Sequence, residues 1–94
     1  MAITGLNIDN AEKITMTHTG LIAGKNGKFI HVCFERDDDK KKSYAEIVLP
    51  GRKVLKNDGF EEGEIAQLQV FLKDKEKEIV NRAKQINHDL IFNL

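Results

Sequence analysis

Ninety-four residues make one small domain (1–94), with room for one modest core and little interior left for a deep catalytic cleft. Fifteen basic residues balance fifteen acidic ones, which weighs against a strongly basic nucleic-acid binder and against an acidic mimic of the DNA backbone. A composition 40% hydrophobic and 32% charged is that of a globular domain, and the absence of Trp beside five Phe and one Tyr disfavours an extended stacking platform.

Met1 to Asn10 has neither the basic start nor the apolar run of a signal peptide, and no segment nears the ~20 apolar residues of a bilayer span. The single Cys33 has no partner for an internal disulfide and suits a reducing compartment, so a cytoplasmic location is expected. Ile14 and Met16 have even parity whereas Leu21 and Ala23 are odd, so one strand cannot point both pairs the same way. A bulge or break at Gly20, after Thr19, resolves this and makes 12–18 a bulged extension or a separate strand.

Asn26-Gly27 is the preferred pair for a two-residue type I′ hairpin turn. Pairing Lys25 with Lys28 sets Ala23 opposite Ile30, Leu21 opposite Val32 and Thr19 opposite Phe34, all on one face. The next connection, Asp37 to Lys42, joins strands near 28–36 and 42–49. Phe34 then faces Ala45, Val32 faces Ile47, Ile30 faces Leu49, and Asp37 meets Lys42. Pro50-Gly51 ends that strand, and Asn57-Asp58-Gly59 is read as a turn.

A helix is expected to start at Glu61, with Phe60 and Ile65 in hydrophobic-staple positions. Acidic residues from Asp58 to Glu64 suit its positive end, and Arg82 with Lys84 its negative end. Ile65, Leu68, Leu72, Ile79, Ala83 and Ile86 recur at helical spacing, but Lys73 to Glu78 is charged throughout. The helix there either runs exposed or breaks near Asp74. Asn87 is expected to end it, leaving Leu90 to Leu94 as a last strand or a cover. The fold class is thus α+β, an antiparallel three- to four-stranded β-meander with a C-terminal helix packed on one face.

No constellation assembles a catalytic, cofactor-binding or metal site. His18, His31 and His88 lack ligand spacing and are expected to be partly exposed. Cys33 and His31 share a strand face, yet no oxyanion hole accompanies them. Asp37, Asp38 and Asp39 lack the alternate spacing of a calcium loop. Gly24 to Gly27 is a turn rather than a phosphate loop, and the lone Ser43 supplies little for a serine nucleophile. Glu35 and Glu46 are placed to face each other on the outer side, without a cleft.

Two surfaces remain. The second sheet face, with Ile22, Phe29, His31, Cys33, Tyr44 and Val48, is more apolar than full solvation requires. Lys40, Lys41, Lys42, Arg52, Lys53 and Lys56 form a basic set, read as one end of a polarised molecule. The first surface favours a non-catalytic protein-interaction module that regulates or inhibits another protein, with a homodimer as one form. An anti-CRISPR-type inhibitor of a host nuclease, carried by a phage or mobile element in a bacterium, is one such setting. The second surface supports nucleic-acid binding as the alternative, and Cys33 with His31 a small enzyme as a third. No cofactor and no membrane partner are expected.

Overall fold

A computed structural model describes residues 2–7, 13–38 and 41–92, with side chains described for 14–37 and 42–88. These residues form strands β1 (Ala2–Asn7), β2 (Lys13–His18), β3 (Ile22–Gly24), β4 (Gly27–Asp38), β5 (Lys41–Leu49) and β6 (Lys53–Asp58), then helix α1 (Glu62–Phe92). The sheet is antiparallel in the order β1-β2-β4-β5-β6, and β3 also pairs with β4. The fold is α+β, as the hydrophobic pattern implies. β1 and β6 extend the expected meander at both edges.

The β4–β5 register agrees with the sequence pattern: Ile30 pairs with Leu49, Val32 with Ile47, Phe34 with Ala45 and Asp37 with Lys42. The first hairpin closes differently. Gly24 pairs with Gly27, so the two turn residues are Lys25 and Asn26. Gly27 carries the positive φ (114°), while Asn26 does not, so the turn is not type I′. Glycine takes the left-handed region at no steric cost, which moves the closure toward the N-terminus. Ala23 therefore pairs with Lys28 and is exposed, instead of lying opposite Ile30. His18 and Met16, rather than Leu21 and Thr19, oppose Val32 and Phe34.

The parity conflict is resolved between β2 and β3. Met16 pairs with Phe34 and Ile22 with Phe29, six residues along one chain against five along the other. One extra residue is absorbed at Thr19-Gly20-Leu21, which turns Ile14 and Met16 inward with β4's even residues. Thr19 stitches the crossing: its N–H donates to the His31 carbonyl (3.0 Å), and its Oγ1 accepts from the His31 N–H (3.1 Å). Asn87, far from ending the helix, locks the same corner. Its Oδ1 accepts from the Leu21 N–H (2.8 Å), and its Nδ2 donates to the Leu21 carbonyl (3.2 Å). A Cβ on Gly20 would lie 2.1 Å from that Oδ1, so the approach requires glycine.

Helix α1 starts as the sequence indicates. The Glu61 carbonyl accepts from the Ile65 N–H (2.9 Å), and the Glu61 N–H donates back to Glu64 Oε1 (2.9 Å), one arm of a capping box. Phe60 is buried and Ile65 packs on the core, as a staple requires. The helix does not break near Asp74. Gln69 Nε2 donates to the Arg52 carbonyl (2.9 Å) and Glu76 pairs with Arg52 (3.6 Å), holding the charged stretch beside the β5–β6 turn. It continues to Phe92, so Arg82 and Lys84 are interior positions and 90–92 form no strand. Residues 93–94 lie outside the described residues.

The core sits between the sheet and α1. Ile14, Met16, Ile30, Val32, Phe34, Ala45, Ile47 and Leu49 come from the strands, and Phe60, Leu68, Leu72, Ile79 and Ala83 complete it. Phe34 meets Phe71 edge-on (centroids 6.5 Å, 81°). At one end Arg36, 2% exposed, pairs with Glu64, donates to Ser43 Oγ (2.8 Å) and lies 4.8 Å from the Phe60 ring centroid. That ion pair fastens the helix start to β4.

Candidate functional site

Residues alternate across the sheet, so inward placement of β4's even positions sends its odd positions to the opposite face. Every described strand belongs to the sheet and α1 packs on the inner side, so no described element lies over this outer face. Its residues form rows across β4, β5 and β6. Asp37 and Lys42 make the first row, and Glu35, Tyr44 and Asp58 the second. Cys33, Glu46 and Lys56 form the middle row, His31, Val48 and Lys53 the fourth, and Phe29 with Ile22 the last. Thr15 and Thr17 flank the second and middle rows from β2.

All six residues of the expected interaction surface therefore share one face. Ile22 is exposed (37%), whereas Phe29, His31, Cys33, Tyr44 and Val48 are half-buried by one another. The polar groups among them are mutually paired. Tyr44 Oη donates to Glu46 Oε2 (2.5 Å) and lies 3.5 Å from Cys33 Sγ, and His31 Nε2 meets Glu46 Oε1 at 2.8 Å. Lys56 Nζ lies 5.6 Å from the Tyr44 ring centroid. The hydrogen bond to Cys33, then that to Glu46 and burial, push the Tyr44 phenol well above its ordinary value. The Tyr44 hydroxyl above all, opposed by desolvation and then helped by His31, holds the Glu46 carboxyl below the usual range. The key member is Glu46, which periodicity alone places on this face without revealing that it bridges Tyr44 and His31.

Cys33 and His31 do share the face, but each is bonded through Glu46 or Tyr44 rather than to the other. Glu35 and Glu46 are not cross-strand partners: Glu35 lies opposite Tyr44, and Glu46 opposite Cys33. His18, expected to be partly exposed, is 1% exposed and inward, with Nδ1 2.9 Å from the Thr19 carbonyl. Its place in the inward set follows from the shift at Gly20. Among the described residues, no group of three or more His, Cys, Asp or Glu is arranged to hold a metal ion.

The basic set is dispersed. Lys42 lies near the start of β5 and Arg52 in the turn beyond its other end, about 24 Å apart by strand rise. Lys53 and Lys56 lie on the outer face near Val48 and Glu46, and Arg52 turns toward Glu76. Lys41 pairs with Asp38 through the backbone, and Lys40 lies outside the described residues. The sheet register thus does not gather these residues at one end. An open depression at the second row is lined by Glu35, Asp37, Lys42, Tyr44 and Asp58, with the backbone of β4 and β5 beneath.

No described helix is long and apolar enough to cross a membrane. Comparison with known proteins finds no matching family model, curated protein or solved structure.

Proposed function

We propose that this chain is a non-catalytic protein-interaction module that works in the cytoplasm by binding, and so regulating or inhibiting, another protein. The observation that carries the reading is the outer sheet face: half-apolar, internally hydrogen-bonded, and without a described covering element. Apolar side chains massed on one open face favour a partner that removes them from water, at roughly 25 cal/mol per Å² buried. Because Tyr44, Glu46 and His31 already satisfy one another, the face can be covered without orphaning those groups. The partner expected is a protein surface of mixed apolar and charged character, not a nucleic acid, since the cations here alternate with carboxylates.

The test is capture from a lysate of the native host with the immobilised chain. A protein retained by the wild type, lost with Val48→Lys and Phe29→Asp, and still retained by Val70→Lys on the exposed side of the helix supports the reading. Retention indifferent to Val48 and Phe29 would remove this face from consideration.

A further inference from the structure

We infer that the outer face also pairs with a second copy of this chain, face to face about a two-fold axis that crosses the strands at the Cys33–Glu46–Lys56 row. The inference rests on the interaction reading above and names one occupant for the same face. Its basis is the order of charges along the strands. On β6, Asp58 and Lys53 stand on either side of Lys56 in the pairing register. On β4, Glu35 and His31 stand symmetrically about Cys33, and on β5 Tyr44 and Val48 stand about Glu46. A two-fold axis through the middle row therefore lays the Glu35–Tyr44–Asp58 row of one copy on the His31–Val48–Lys53 row of the other.

Asp58 then faces the second copy's Lys53, and the reciprocal contact is made by symmetry, as an isologous interface requires. The depression lined by Asp58, Glu35 and Tyr44 receives that lysine. An axis along the strands would instead lay the acidic row on itself, so charge selects the crossing axis. Glu46 and Lys56 lie near the axis and meet their own copies. Glu46 accepts from Tyr44 and has His31 and Lys56 beside it, which offsets the like-charge contact. Five rows and four strands give a footprint of about 27 by 19 Å, hence on the order of 1,000 Å² buried in total, the lower limit for a specific interface. A dimer in the micromolar range is the corresponding expectation.

The experiment is sedimentation equilibrium on the full chain up to about 200 µM, a range that reaches well above a micromolar Kd. Wild type, Asp58→Lys, Lys53→Asp and the double variant are compared. Both residues are exposed on an edge strand, so folding survives in each. The wild type should dimerise, each single swap should weaken it by about tenfold or more, and the double swap should restore most of the loss. A short bifunctional thiol reagent should join two wild-type chains through Cys33, the only cysteine. Wild type monomeric throughout, or a double variant no tighter than the singles, overturns the inference. A monomer that still captures a partner through Val48 and Phe29 would sink self-pairing alone. Capture that ignores those residues would sink the broader reading, leaving the dimer to the swap result.

Discussion

Along β4, Ile30, Val32, Phe34 and Arg36 point under the helix, while Phe29, His31, Cys33 and Glu35 point away from it. The inner set is buried within a continuous apolar core, and its one charge, Arg36, is held by Glu64, Ser43 and the Phe60 ring. In the outer set Phe29, His31 and Cys33 are half-buried and Glu35 is exposed, and His31 and Cys33 meet Glu46 and Tyr44 sideways within the face. Stability is concentrated on one side of a single strand, and the surface proposed for recognition lies on the other. The difference teaches that period-two alternation assigns chemistry as well as burial.

The strongest way to break this comparison is an inner-face truncation. Phe34→Ala should cost about 3–5 kcal/mol in urea unfolding, because the site lies between sheet and helix and has little freedom to collapse. Glu64→Ala should cost about 3 kcal/mol, since it withdraws the carboxylate partner of a buried guanidinium as well as the capping acceptor. Asn87→Ala should cost about 1–3 kcal/mol by releasing the backbone of Leu21. Gly20→Ala should cost a comparable amount, and the two should be non-additive because either change breaks the same lock. On the outer face, Val48→Lys should change monomer stability by less than about 1 kcal/mol while abolishing partner retention, and an equal loss of stability would erase the distinction between the faces.

The smallest effect concerns pH. Glu46 has a folded pKa below its unfolded value, so its contribution is present above the ordinary carboxyl range and fades as pH falls through the depressed folded value. Tyr44→Phe removes the leading cause, and the Glu46 carboxyl followed by NMR should then titrate at higher pH than in the wild type. An unchanged titration would show that the Tyr44 hydroxyl does not govern that carboxylate.

The central hairpin was legible because both of its strands alternate cleanly and large apolar residues meet at every second pair, from Ile30–Leu49 to Phe34–Ala45. The first hairpin was not, because Asn26-Gly27 and Gly24 to Gly27 offer competing closures, and a glycine at the end of the turn serves as well as one inside it. The conflict of Ile14 and Met16 with Leu21 pointed correctly to Gly20. What no local pattern shows is that Asn87, 66 residues downstream of Leu21, fills that corner. β6 was hidden by its own composition: Lys53, Lys56, Asn57 and Asp58 read as loop, and only pairing with β5 makes them a strand. The outer face itself followed from parity, while the bridging role of Glu46 depended on side-chain geometry that spacing does not encode.

The irregularity in β6 bears on how this molecule associates. Glu46 pairs with Lys56 and Ile47 with Val54, which leaves Leu55 as a bulged residue on the outermost strand. An outer strand with an interrupted ladder is a poor template for another strand, so lateral addition at this edge is discouraged. Lateral addition has no natural stopping point and leads toward filaments, whereas facing surfaces related by a two-fold axis close after one event. A single supernumerary leucine thus blunts open-ended growth at this edge, which is compatible with the closed pair proposed for the outer face.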